Sequence, residues 1–569
     1  MNHPTPAIVA QRAVRRLPRI ALLLLCLAYV VPGFWGRSPW KSQDLEAFGH
    51  MWQLAHPNAG EVVSWLQPTL LGQTDQNLAL LPYWLGAAAI RLAPSGWEDG
   101  FARLPFVALL VCTLLATWYG VYALARHPAA QPVTFAFGGE AKPADYARTL
   151  ADGGLLALLA CLGLARLSHE ITPSLSQLAF GALLFWGLAS LAHHRIQGGL
   201  AIAAGMLGLT LSGAPSIALW LGLGGSVICA VAPPHPADRR LNMLDFGLLA
   251  LMTLVCVTAA GALDLWRWRV IPHTMLDVHL MAKLLMWFTW PAWPLALWSL
   301  WRWRAQLAQG WRYPHLALPL WFALVTVGAT WFTGLTDRAL LVSLPAIATL
   351  AAFALPTLQR SLSALIDWFT LLFFSFCALI IWGVWLSMHT GIPAQPARNV
   401  ARLAPGFVPE FSAAALTVAL LATLTWAALV RWRIGRQRAA IWKSLVLPAG
   451  GATLCWLLLM SLWLPLLDHA RSYAPMVKKI SETTHQARCV QYAGISQAQG
   501  AALMFHGQMR LLPAQAPSDD CAWLIMDSQN RSLLSEKLRQ LGWREQSTVW
   551  RLSDRNETLV IFQPATAAN

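Results

Sequence analysis

The chain has 569 residues, 57% of them hydrophobic and only 12% charged, with a mean hydropathy of +0.49. A soluble protein carries about 25% charged residues, so a soluble globular protein is excluded, and the missing short alternating segments exclude a β-barrel. Lys and Arg number 41 against 26 Asp and Glu; this +15 excess falls in short loops between apolar runs, the positive-inside pattern of a membrane protein rather than a nucleic-acid binder.

Four arginines, Arg12, Arg15, Arg16 and Arg19, precede the first apolar run, "IALLLLCLAYVVPGFWG". No small-residue cleavage site follows, so the run reads as a retained span. Further spans are expected near 100–125, 149–167, 174–192, 198–212, 214–232, 242–262, 283–302, 315–333, 338–355, 365–388, 412–431 and 441–467. With the first at 18–35 this makes about thirteen, each long enough to cross a bilayer. Tryptophans such as Trp266, Trp301 and Trp432 flank the runs as interfacial anchors. With the N-terminus in the cytoplasm, even-numbered spans return to basic or His-rich loops such as "HHRIQ", "HPADRR" and "RWRIGRQR". The C-terminal tail then lies on the extracytoplasmic side.

Between the first two spans lies Gly36–Trp97, which does not read as a span. In "SPWKSQDLEAFGHMWQLA", from Ser38, the residues Leu45, Phe48, Met51, Trp52 and Ala55 recur at helical spacing. "NLALLPYWLGAAAIRLAP" is apolar, carries Pro82 and reaches Arg91. Both read as helices lying at the membrane interface. We divide the chain into a membrane domain, 1–467, with 36–97 as an extracytoplasmic loop, and a small α/β domain, 468–569. In the latter, "CVQYAGI", "AALMFHG" and "CAWLIMD" read as strands. "NRSLLSEKLRQLGW" reads as an amphipathic helix with Leu533, Leu534, Leu538 and Leu541 on one face, and "STVWRLSDRNETLVIFQ" as a hairpin. The two tail cysteines, Cys489 and Cys521, suggest a disulfide in an oxidising compartment, with two free thiols as the alternative; the other seven lie in apolar runs and read as inert thiols.

Two carboxylates, Asp44 and Glu46, open the first interfacial helix. One there can remain solvated while facing a lipid-borne substrate, as a general base requires; the alternative is a capping or dipole role at the helix start. Residues two apart on a helix point about 200° from each other, so the two acids do not share a role. Arg103, Arg267, Arg269, Lys283 and Arg338 fall near extracytoplasmic span ends, where a cation holds a leaving phosphate or snorkels to headgroups. His169 and Glu170 form a loop pair. His273 and His279, with Asp75 or Glu61, are a candidate divalent-metal set without diagnostic spacing; the metal requirement is unknown. Nucleotide-binding, GxSxG and HExxH motifs are missing.

An acid at the start of an interfacial helix, then "LLPYWLGAAAIRLAPSGWEDGFARLPFVALLVCTLLATWYGVYALAR", resembles the protein O-mannosyltransferase/aminoarabinose-transferase superfamily of GT-C glycosyltransferases. The matching features are Tyr83-Trp84, Gly96 and Arg103-Leu104-Pro105. "HEITPSLSQLAFGALLFWGLA" and "GMLGLTLSGAP" resemble that family's segments after its third span. The likeness is good over residues 18–220 and architectural beyond. It implies a GT-C-like fold of about thirteen transmembrane helices with a C-terminal periplasmic domain. It assigns Asp44 as catalytic base, with Glu46, Asp75, Tyr83, Arg103, His169, Glu170, Arg267, Arg269, Lys283 and Arg338 as substrate-binding candidates. The chain departs from the family's pattern: Leu45 replaces the second acid of a pair, "GQTDQNLALLPYW" has no Lys, the next acid falls near Ser174 or Ser176, and Ser212 replaces a Lys. The expected function is transfer of a monosaccharide, with inversion, from a polyprenyl phosphate to lipid A, a glycan or a protein at the periplasmic face of a bacterial inner membrane, among membrane lipids and without nucleic acid. The alternative is a non-enzymatic transporter or scaffold. A transporter carries ionisable residues in mid-span along a path, whereas the charges here cluster at span ends.

Overall fold

The computed structural model describes residues 5–40, 42–57, 64–74, 79–232, 243–266, 275–333, 336–434, 440–515, 517 and 521–565. Helices dominate because in lipid each backbone N–H and C=O must be satisfied within its own segment. Seven described helices are long and apolar enough to cross a membrane: Glu98–Ala125, Asp245–Ala262, Pro314–Thr333, Asp337–Thr357, Arg360–Thr390, Ala413–Arg433 and Lys443–Leu462. Arg19–Val30, Arg195–Leu211 and Pro215–Val231 are shorter apolar helices. The chain is a multi-pass α-helical membrane protein. It divides into two compact units.

The first unit comprises Met1–Gly33, Phe106–Ile381 and Ala414–Ser461. Prolines open several of its helices, among them Pro173–Ser190 and Pro215–Val231, where a missing N–H costs nothing. Pro173–Ser190 packs against Arg195–Leu211 through glycine: a Cβ on Gly205 would lie 2.7 Å from Leu184 Cβ, and one on Gly187 2.7 Å from the Ile202 nitrogen. Without a hydrophobic drive between helices in lipid, such close approach is what holds them together. Two expected spans are each divided. Pro143–Ala160 and Leu162–Leu167 are separated at Cys161, whose backbone is extended, and the Leu162 N–H bonds instead to the Trp290 carbonyl at 3.0 Å. Met275–Phe288 and Ala292–Arg302 are separated around Pro291, which has no N–H to continue a helix. Acids within this unit's helices are paired: Asp152 with Arg19 at 3.0 Å and Trp118 Nε1 at 2.8 Å, Asp245 with Arg195 at 2.7 Å, and Asp367 with Arg433.

The second unit comprises Phe34–Pro105, Trp382–Ala413 and Leu462–Asn569. Its strands are β1 (Thr69–Leu70), β2 (Gln73–Thr74), β3 (Cys489–Ala493), β4 (Arg510–Pro513), β5 (Leu524–Asp527), β6 (Trp543–Arg551) and β7 (Asp554–Pro564). The last five form one sheet in the order β4-β3-β5-β7-β6; β3 runs parallel to both β4 and β5, and β7 is antiparallel to β5 and β6. "AALMFHG", expected as a strand, is instead within the helix Gln497–Gly507. Ser496 and Gln499 close a capping box there, Ser496 Oγ accepting from the Gln499 N–H at 3.2 Å and Gln499 Oε1 from the Ser496 N–H at 2.8 Å. The strand position falls to "RLLP", β4. The expected tail helix spans Arg531–Gln540, and a cystine joins Cys489 to Cys521, with their Cα atoms 5.0 Å apart.

The early loop and the tail share one core. Leu45 from the helix Gln43–Ala55 and Leu70 from β1 are buried with Tyr473, Met476, Ile480, Val490, Leu503, Ile525 and Ile561. The expected interfacial helices are Gln43–Ala55 and Leu81–Arg91. They pack so closely that a Cβ on Gly86 would lie 2.2 Å from Met51 Sδ, while one on Gly49 would lie 2.6 Å from Ala501 Cβ.

Candidate active site around Asp44

Asp44 sits in the first turn of Gln43–Ala55 and is 1% exposed, so its carboxylate is buried and not partly solvated as expected, with Arg37 and the Trp40 N–H taking the place of water. Its Oδ2 accepts from Arg37 Nη1 at 2.8 Å and from the Trp40 N–H at 3.0 Å. The carboxylate therefore closes the loop Arg37–Asp44 instead of capping the helix, at an end where the dipole favours negative charge. Two guanidinium groups lie over the Trp40 ring, Arg37 at 4.4 Å and Arg471 at 5.1 Å from its centroid. Asp468 holds the same loop, accepting from the Ser38 N–H and the Trp40 Nε1–H, both at 2.9 Å, and from Ser38 Oγ at 3.0 Å. Arg103 is buried, donates to the Phe34 carbonyl and pairs with Asp99 at 3.6 Å. Glu46, two residues on, is part-exposed. Its field acts on Tyr473, whose hydroxyl donates to Glu557 at 3.0 Å; burial first, and then Glu557, pushes that phenol's pKa up. Tyr83 is buried and stacks on His50, with centroids 4.8 Å apart.

In the first unit Glu170 is 1% exposed, in the turn between Leu162–Leu167 and Pro173–Ser190. Arg338 donates to its Oε2 through Nη2 at 2.6 Å and Nε at 3.2 Å, and Arg166 Nε lies 3.3 Å from Oε1. His169 Nε2 meets the Tyr29 carbonyl at 3.0 Å, and its ring packs on Trp456 at 4.5 Å. Ser176 and Ser212 are fully buried. Gln177, beside Ser176, donates to the Ser212 carbonyl at 2.8 Å. The hydroxyls of Thr172, Ser176 and Ser212 have no partner among the described residues. Gln177 thus links the segment around Ser176 to Ser212, two of the positions at which the chain departs from the resembled family.

Lys283 is exposed on Met275–Phe288 and forms no ion pair among the described residues. Asp75, Glu61, Arg267, Arg269 and His273 lie outside the described residues, and His279 is exposed. No group of three or more His, Cys, Asp or Glu able to hold a metal occurs among the described residues. Sequence reasoning missed Arg37, Trp40, Asp468 and Arg166. Arg37 and Asp44 are seven apart across a loop, which leaves no periodic signal; Asp468 is reached only by folding.

These features define a multi-pass helical membrane fold in which the helices Gln43–Ala55 and Leu81–Arg91 share a unit with a small C-terminal sheet. The chain superposes on the crystal structure of ArnT from Cupriavidus metallidurans bound to undecaprenyl phosphate, with a TM-score of 0.61 and 13% identity over 97% of this chain and 98% of that chain. The apo form of that protein gives 0.59 and 14% over the same shares. No protein-family model and no curated protein matches the sequence. At this identity the likeness carries the fold.

Proposed function

We propose that the protein is an inner-membrane glycosyltransferase that moves a monosaccharide from a polyprenyl phosphate to an envelope acceptor at the periplasmic face. The observation that carries this reading is Asp44, a buried carboxylate held by Arg37 and the Trp40 N–H at the start of an interfacial helix. Support comes from the fold it shares with ArnT, a protein crystallised with undecaprenyl phosphate. In the reaction Asp44 takes the proton of the acceptor hydroxyl, and the acceptor oxygen bonds to the anomeric carbon. The bond from that carbon to the phosphate oxygen breaks, its electron pair leaving with the polyprenyl phosphate, and the configuration inverts. Cations must receive the departing charge. Arg103, buried in the same unit as Asp44 and paired with Asp99, is our candidate.

The test is transfer of a radiolabelled sugar from polyprenyl phosphate in membranes, at matched amounts of folded protein, because Asp44→Asn also strands the buried Arg37. Asp44→Asn is nearly isosteric and should lower transfer about 10²–10⁴-fold, the usual worth of a general base, whereas Glu46→Gln should cost much less. Full activity in Asp44→Asn, or equal losses in both variants, overturns the role of Asp44. A wild-type chain that transfers from no polyprenyl-phosphate sugar overturns the enzyme.

A further inference from the structure

The first unit contains an apolar slot of about 360 Å³ that the proposed reaction does not use. Its walls include Trp290, Trp298, Leu358, Leu362, Phe369 and Thr370. The volume lies within the range of small-molecule pockets, about 300–1,000 Å³. Thr370 is buried, while Phe369 is 43% exposed on a membrane-spanning helix, so the slot opens toward lipid. The membrane-spanning segment Arg360–Thr390 begins at Arg360, two residues from either Leu358 or Leu362. From there to Thr370 the helix rises about 15 Å, the depth of one leaflet of a bilayer whose hydrocarbon core is about 30 Å thick. The slot is therefore one leaflet deep and starts at a membrane boundary.

That boundary is basic. Arg302 lies one turn beyond Trp298 on Ala292–Arg302, and both Arg302 and Arg360 are exposed. Among the described residues neither has a carboxylate partner; the nearby acid Asp367 is engaged by Arg433. Ser363 and Ser444 share a hydrogen bond at 2.7 Å near the same end, and Trp298 Nε1 donates to Thr357 Oγ1 at 3.2 Å.

We infer that this slot binds one acyl chain of an anionic glycerophospholipid whose phosphate rests on Arg302 and Arg360. The apolar walls take any hydrocarbon, and the two cations select the headgroup charge. A polyprenyl chain is a poorer occupant, because it outruns a slot only one leaflet deep.

The full chain, purified in detergent and exchanged against mixtures of phosphatidylglycerol and phosphatidylcholine, is examined by native mass spectrometry. An arginine beside an anionic surface is worth about five-fold in binding, so the pair should favour phosphatidylglycerol about twenty-five-fold. Arg302→Gln with Arg360→Gln should abolish that preference while lipid is still retained. Leu362→Trp, which fills the slot, should lose the retained lipid; unchanged melting in detergent shows that the variants fold. Equal retention of both lipids by the wild-type chain overturns the inference. So does displacement of phosphatidylglycerol by a polyprenyl phosphate at equal concentration, which would make the slot a tail groove of the donor. The readout is lipid retention, so failure of the proposed transferase reaction does not affect it.

Discussion

Asp44 and Arg37 are both buried, with side chains 1–2% exposed, and that burial sets what their substitution does. Removing one member of a buried pair strands the other charge away from water and costs about 3–5 kcal/mol. Arg37→Ala should therefore destabilise strongly, and Asp44→Asn added to it should recover much of the loss. Urea unfolding in detergent, followed as a double-mutant cycle, measures this; two additive losses would show that the pair is not coupled. A second residue-scale effect comes from His506, on Gln497–Gly507. Burial holds its imidazole below the ordinary value of 6.5, against the opposing pull of Asp468 and Asp99. Between the depressed value and 6.5 the unfolded chain binds more protons, so stability falls as the pH drops through 6.5. Melting temperatures between pH 8 and pH 5 should show this decline, and His506→Gln should flatten it.

Helices were legible in the sequence where composition alone decides them. The runs that became Glu98–Ala125, Arg360–Thr390 and Lys443–Leu462 are continuous and apolar, and the helix Gln43–Ala55 showed its period in Leu45, Phe48, Met51 and Trp52. What composition does not encode is interruption by a partner. Cys161 breaks its helix because Leu162 finds the Trp290 carbonyl, a residue far along the chain. "AALMFHG" misled because its apolar residues suit either a strand or a buried helix, and Ser496 with Gln499 decided it. Of the candidate site, Asp44 was legible because a charge at a membrane boundary is conspicuous; Arg37 and Asp468 were not, since only tertiary folding brings them to it. Close packing supplies the element-scale test. Gly86→Leu drives a side chain into Met51 and should separate the two interfacial helices, which overpacking usually penalises by about 1–3 kcal/mol or more. Faster amide exchange across 43–55 and 81–91 would report it. The cystine closes a loop of 32 positions, and Cys489→Ser with Cys521→Ser should cost about 3–4 kcal/mol in the chain-entropy account, read as faster exchange of the β3 and β5 amides.

At the scale of the whole molecule, the basic loops are our ground for proposing an N-terminus in the cytoplasm and a C-terminal tail outside. Cysteines introduced at Gln67 and Gln529 should react with an impermeant maleimide from the periplasm, whereas one at Gln359 should not; all three positions are exposed in the structure. Labelling at Gln359 from outside would reverse the assigned orientation. The shared core of the second unit also sets an order of events in the making of the protein. Leu45 and Leu70 find their cover in residues from Tyr473 to Ile561, and Ser38 meets Asp468, 430 positions later. At about 5–20 residues per second, a ribosome needs roughly 20–90 s to supply that cover. Throughout that interval the first translocated loop waits with its apolar face unclaimed. A bilayer surface would offer that face a resting place, so we expect the helix that carries Asp44 to lie on the membrane during synthesis before it joins the folded core.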